Sequence, residues 1–212
     1  MRFDMAELAP QDRYKLMTSS ITPRPIAWVT SQSKDGVRNA APFSFFNMMA
    51  ADPPLVVLGL MARPDGSFKD TAANILEIGE FVVNLVSEDD AAMMNFTCID
   101  APPAFDELEA AGIVTLPSVS IAPPRIASAP ASFECRLFQA IKASPAATIV
   151  IGQVVTMHID DRFVDPERLY VDTLAMKLIA RMHGAGWYTR SNDVFQLERP
   201  VWAKWSKAQD KG

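Results

Sequence analysis

The chain has 212 residues, of which 49% are hydrophobic and 21% charged, and its 25 acidic against 20 basic side chains give a formal net charge of −5. That length and balance describe one globular domain over residues 1–212 rather than a disordered or fibrous chain. The acidic excess argues against a general nucleic-acid binder, which needs basic side chains to neutralise phosphates, and leaves a small molecule as the expected partner.

The opening residues MRFDMAELAP carry Arg2, Asp4 and Glu7 and no apolar core of a secretory signal. The longest uncharged stretch, 143–159, contains Pro145, Gln153, Thr156 and His158, so it is too short and too polar to cross a bilayer. The expected location is the cytoplasm. There Cys98 and Cys135 are expected as two reduced, buried thiols.

In chain order, Ile26 to Thr30 is a strand-length apolar run, and Lys34-Asp35-Gly36 reads as the turn of a hairpin. Leu55 to Leu60 is a second such run. Asp70 to Ile78 carries Ala72, Ala73, Ile75 and Leu76 at helical spacing and meets a stop signal at Gly79. Phe81 to Val86 is again strand-like, 88–96 and 105–111 are short helical candidates, and Cys135 to Ile141 and Thr148 to Ile159 complete at least five strands. No regular βαβ rhythm or repeat is present, so a closed or nearly closed β-barrel with peripheral helices is expected. Its core would run from about residue 15 to 190, with a tail at 199–212.

Several chemistries lack their residues. Two histidines, His158 and His183, and two distant cysteines do not form a metal-ligand pattern. Neither a nucleophile elbow nor a glycine-rich phosphate loop occurs. Catalysis would have to borrow a cofactor.

Four segments remain. Ser67-Phe68-Lys69-Asp70-Thr71 opens the helix at 70–78, where Ser67 or Asp70 can cap while amide groups, Lys69 and Thr71 make a phosphate seat; a plain capped helix with a surface lysine is the rival reading. Arg24, between Pro23 and Pro25, is either an anion-binding guanidinium on a stiff segment or a surface arginine. Asn39 to Asn47 mixes small, aromatic and polar residues, as a flat aromatic ligand or an ordinary buried strand would require. Arg181 to Tyr188 sets a cation, His183 and two aromatics around glycines, and His183 taken alone reads as a hydrogen-bonded structural residue.

The acids cluster. Between Lys69 and Arg125 there is no Lys or Arg, yet ten acids fall between Asp70 and Glu109. They make either a solvated surface or a face that docks a basic redox partner. Trp202 and Trp205, among the bases of the tail, suit packing on the chain's own body, packing on a neighbouring subunit, or a lid.

Taken in order, Arg24 to Ser31, Asn39 to Phe46, Asp52-Pro53-Pro54, Lys69-Asp70-Thr71, Asn74-Ile75 and Gly79 to Leu85, followed by Ile151 to Val154 and Tyr188, resemble the flavin reductase-like family of FMN-binding split-barrel proteins. The likeness is strongest to its longer, flavoredoxin-like members and covers nearly the whole chain. It implies a mainly β fold, a six-stranded, Greek-key-like split β-barrel with peripheral helices. It also implies a homodimer with one FMN per subunit near the interface.

By the same resemblance, Arg24, Thr30, Ser67, Lys69 and Thr71, with Asp70 between the last two, would hold the phosphate. Ala27, Trp28, Asn39, Ser44, Phe45, Phe46 and Asn47 would line the ribityl chain and isoalloxazine, and Arg181, His183 and Tyr188 would flank the ring. Ala147 stands where many members carry a histidine five residues ahead of the glycine at 152, which turns attention to His183 as the catalytic imidazole. The implied activity is an FMN-dependent oxidoreductase that takes hydride from NADH or NADPH and passes electrons to free flavin or another acceptor. The alternatives are an FMN-containing electron carrier that docks a protein partner, and a non-enzymatic ligand-binding split barrel.

Overall fold

The computed structural model describes residues 1–102, 105–202 and 205–206. Helix α1 (Pro10–Ser20) is followed by β1 (Arg24–Pro25), β2 (Ala27–Gln32), β3 (Arg38–Phe43), β4 (Phe46–Ala51) and β5 (Pro54–Met61). Then come α2 (Asp70–Ile78), β6 (Glu80–Leu85), α3 (Ala91–Phe96), α4 (Glu107–Ala110), β7 (Thr115–Leu116) and β8 (Arg125–Ile126). The long strands β9 (Ala131–Ser144) and β10 (Ala147–Ile159) precede the short β11 (Val164–Asp165), β12 (Tyr170–Val171), β13 (Ile179–Arg181) and β14 (Tyr188–Arg190).

Seven strands form one antiparallel sheet in the order β3-β2-β6-β9-β10-β5-β4. Its two edge strands, β3 and β4, are consecutive in the chain and joined only by Ser44 and Phe45, so the sheet must curl until its edges meet. The Gly59 amide donates to the Phe45 carbonyl at 2.7 Å, carrying the β4–β5 ladder into the bend that joins the two edges. A side chain at Gly59 would stand 2.9 Å from the Phe45 Cβ, so close approach there requires glycine. The mainly β barrel is as expected, with seven strands in its sheet where six were implied, and Asn39 to Asn47 contributes to two of them, bent at Ser44-Phe45.

Successive residues of a strand face opposite ways, and β2 is covered on both sides. Ala27 and Val29 face the barrel interior with Leu58, Phe81, Val83 and Val150. Ile26 and Trp28 pack outward against Met94, Leu108 and Ile126, beneath α3, α4 and β8. Two covered faces explain why Ile26 to Thr30 reads as a continuous apolar run.

Helix α2 closes one side of the barrel with Thr71, Ala72, Asn74 and Ile75 buried. It ends where expected: Gly79 takes the left-handed conformation (φ 78°) and its amide donates to the Ile75 carbonyl. Helix α1 was not legible as a helix, since Thr18 is its one buried residue and no apolar stripe exists for periodicity to reveal. The thiols differ from expectation. Both are free, Cys135 in the core but Cys98 exposed, because the latter follows α3 at the mouth of a cavity.

Candidate functional site

The start of α2 is the local feature from which the site is built. Its N-cap, Lys69, receives no side-chain cap, so the amides of the first turn remain available as donors beside the positive end of the helix dipole. Neither anticipated cap acts there. The Ser67 hydroxyl donates to Asp65 at 2.6 Å, and the Asp70 carboxylate pairs with Arg63 at 3.1 Å.

A cavity of about 240 Å³ opens beside this turn. Asn39, Ala41, Pro42 and Phe43 of β3 form one wall, Lys69, Asp70 and Thr71 another, and Thr97 to Ala101 with Glu107 the third. The Asn39 side-chain amide donates to the Thr71 hydroxyl at 2.7 Å. That bond occupies a lone pair of the hydroxyl and leaves its proton to be given elsewhere, although Thr71 is only 2% exposed. Lys69 Nζ is 3.6 Å from Asp100, with both side chains well exposed, a contact too weak to hold the ammonium against a better anion. The cavity therefore gathers an ammonium, an aimed hydroxyl and open helix-end amides.

Glu107 opposes an anion here. It is buried, and its Oε2 accepts the Ala40 amide at 3.1 Å. Burial pushes its pKa up, as do the charges of Asp70 and Asp106, against the lowering effect of its backbone hydrogen bonds. An ionised Glu107 repels a phosphate in the same cavity, so Glu107→Gln, which keeps an acceptor for Ala40, is expected to tighten FMN at neutral pH by about threefold to tenfold. The sign for wild type follows: a raised carboxyl pKa means that acidification neutralises Glu107 early, so the advantage of the variant shrinks as pH falls. Flavin fluorescence titrations at two pH values measure both.

The remaining expected site residues are dispersed. Ser44, Phe45, Phe46 and Asn47 line a separate cavity with Arg24. Arg24 does not reach the phosphate seat, because its guanidinium is buried and donates to the carbonyls of Thr18 at 2.5 Å, Ile21 at 2.7 Å and Met182 at 3.0 Å. Ala27 and Trp28 have no side-chain exposure to a ligand. Ala27 lies in the barrel core, and Trp28 Nε1 donates to the Thr97 hydroxyl at 3.0 Å, bracing a wall of the first cavity from behind. The Thr30 hydroxyl is buried and donates to the Pro124 carbonyl at 2.5 Å.

Of the C-terminal trio, Arg181 and Tyr188 sit on the small sheet β1-β13-β14. Arg181 donates to the Tyr188 hydroxyl at 2.9 Å and lies over its ring at 5.0 Å. Burial raises the Cys98 thiol pKa, while the charges of Arg181 and Lys69 pull it down. His183 lies on the exposed turn between them, stacked on Trp187, and lines neither cavity. Residues 97–101, Arg63 and Glu107 were missed as site residues. Only Arg63, six residues before Lys69 in a turn-rich segment, left a local signal.

Six of the ten acids of the run lie within reach of a base. Asp70 pairs with Arg63, Glu77 with Lys34, Glu80 with Arg136, Glu88 with Arg190, Asp100 with Lys69 and Asp106 with Arg38. Asp90 and Glu107 are buried. Four of the paired acids, Glu77, Glu80, Glu88 and Asp106, are thus matched by bases from distant parts of the chain.

The family model described as "Flavin reductase like domain" matches residues 18–176, and the chain belongs to that family. An uncharacterized protein of Deinococcus radiodurans is 40% identical over 210 residues, covering 97% of this chain and 92% of its own. The crystal structure of Pseudomonas fluorescens 2-nitrobenzoate 2-nitroreductase NbaA is similar at 37% identity and a TM-score of 0.87, covering 95% of this chain and 98% of that one. Nitrilotriacetate monooxygenase component B from Bacillus cereus is similar at 36% identity and a TM-score of 0.86, covering 93% of this chain and 98% of that one. No helix among the described residues is long and apolar enough to cross a membrane.

Proposed function

We propose that this chain is an FMN-dependent oxidoreductase that accepts hydride from a reduced nicotinamide and passes electrons to free flavin or another small acceptor. The observation that carries the proposal is the donor set at the start of α2: Lys69, the Thr71 hydroxyl aimed by Asn39, and uncapped amides converge on one cavity. That set suits a phosphomonoester. Bound FMN would supply the hydride chemistry that no residue of the chain can perform alone. The 37% identical relative is named as a nitroreductase and the 36% identical one as a monooxygenase component, and both names are consistent with reduction of a small acceptor.

The chain's own part is to bind and orient. Lys69 and Thr71 anchor the phosphate, Asn39 holds the Thr71 hydroxyl, and Ala41 and Pro42 offer a wall low enough for a ring to approach. Phe43 extends that wall. His183 receives no step, since it lies on an exposed turn away from the cavity. His183→Ala is therefore expected to leave the rate of nicotinamide oxidation within about threefold of wild type, and a loss of two orders of magnitude in stopped-flow traces would restore the imidazole to the reaction.

A cavity of about 240 Å³ is below the usual range for an enclosed small-molecule site, roughly 300 Å³ and upward. A second subunit would complete it. Exposed apolar side chains support a homodimer: Ile141 and Ile149 are paired across β9 and β10, Phe138 is exposed on the same strand β9, and Phe195 and Leu197 are exposed in the segment after β14. Trp202, 74% exposed, lies against Trp205 with ring centroids 5.1 Å apart and planes tilted by 33°; that fits packing on a partner better than on the chain's own body. Sedimentation of the FMN-loaded protein tests the assembly, with one flavin per chain in a dimer expected. A flavin-loaded monomer would overturn the shared site.

A further inference from the structure

A second cavity lies apart from the donor set at the start of α2 and shares no lining residue with the first. It is a solvent-open cleft of about 470 Å³ where α1 passes the bend between β3 and β4, a volume suited to a small organic molecule. Tyr14 and Met17 of α1 form one side and Phe45 and Phe46 the other. The Tyr14 and Phe45 rings are 6.0 Å apart between centroids and tilted by 57°. Within these apolar walls Arg24 is the charged residue.

Arg24 is 8% exposed. Four of the five N–H groups of its guanidinium are engaged, by the carbonyls of Thr18, Ile21 and Met182 and, at 3.4 Å, by the Ser44 hydroxyl. Every one of those acceptors is neutral. Among the described residues no carboxylate forms an ion pair with Arg24.

The residue opposite it in the β1–β13 register is another arginine, Arg181. Its donors also go to neutral oxygens, the Tyr188 hydroxyl and the Gly184 carbonyl. Like charges directly opposite one another across a ladder are unfavourable, and a buried charge without a counterion is costly. Burial accordingly pulls the Arg24 pKa below its ordinary value, with Arg181 adding to that pull and Tyr14 opposing it.

An anion is what the pair lacks, and the walls around Arg24 select a flat apolar body for it. We infer that this cavity binds a small aromatic carboxylate, its ring between α1 and the Phe45-Phe46 bend and its carboxylate against the remaining Arg24 N–H. The inference does not rest on the proposed phosphate seat, which is lined by other residues.

Calorimetric titration of the full-length protein with benzoate, and separately with the neutral isostere benzamide, tests it. Benzoate is expected to bind one molecule per chain and benzamide to bind at least about tenfold more weakly, since only the former neutralises the guanidinium. Arg24→Met is expected to abolish the preference, but it removes three ties to backbone carbonyls and can prevent folding. Met17→Trp is the second variant: Met17 is 52% exposed, so the larger ring fills the mouth without touching the Arg24 bonds, and benzoate binding is expected to disappear while thermal stability and FMN affinity persist. Three results would each overturn the inference. They are equal binding of benzoate and benzamide, no benzoate heat at about 1 mM ligand, and wild-type benzoate affinity in Met17→Trp.

Discussion

Lys69→Ala combined with Thr71→Ala is expected to weaken FMN by about 100-fold while changing riboflavin affinity by no more than about threefold. The difference between the ligands is the phosphate. Hydrogen bonds to a charged group are worth about 1.5–3 kcal/mol each, and the phosphate would lose an ammonium and a hydroxyl. The helix-end amides of α2 remain, so some preference for FMN survives. Thr71→Ser separates the hydroxyl from the fold: it keeps a partner for the Asn39 side chain, now 2.7 Å from the Thr71 oxygen, and is expected to bind FMN nearly as wild type does. Parallel losses for FMN and riboflavin in the double variant would place the phosphate elsewhere.

The second large effect is on stability. Gly152→Ala is expected to lower stability by about 3 kcal/mol, at the upper end of what overpacking a core costs, and to lower Tm by roughly 6–12 °C for a chain of this size. A Cβ at Gly152 would stand 2.4 Å from Phe81 Cζ and 3.1 Å from Cε1. Phe81 is fully buried in the barrel interior among Val83, Val150 and Cys135, so its ring has no room to retreat. Phe81→Leu in the Gly152→Ala background shortens the obstructing side chain and is expected to recover part of the loss, which a double-mutant cycle quantifies. Unchanged melting of Gly152→Ala would contradict this packing. The glycine of the Ile-Gly-Gln-Val run is thereby a position that lets an aromatic ring fill the barrel.

Both effects depend on residues that the sequence marks unequally. The span of α2, its stop at Gly79 and the turn at Lys34-Asp35-Gly36 are local features, decided by residues within a few positions of one another, and they are where the pattern puts them. Arg24 shows the opposite case. Its proline neighbours announce a fixed guanidinium, but one of its acceptors is the carbonyl of Met182, 158 positions away, and no pattern in the segment distinguishes a carbonyl from a phosphate.

The same contrast runs through the site and the charges. Lys69 and Thr71 could be read from a helix start, whereas the facing wall of residues 97–101 and Glu107 comes from packing of α3 and α4 and has no periodic signature. The acids from Asp70 to Glu109 were visible as a block. Their partners, at Lys34, Arg38, Arg136 and Arg190 among others, are visible only once the chain has folded.

The central claim is that a flavin held at the start of α2 takes hydride from a reduced nicotinamide. An anaerobic visible spectrum of the FMN-loaded protein, recorded before and after NADH and then NADPH, tests it most directly. The expected result is rapid bleaching of bound flavin by at least one of the two, slowed in the Lys69→Ala, Thr71→Ala variant in proportion to its lost flavin. Flavin that binds but stays oxidised with both nicotinamides would contradict the claim.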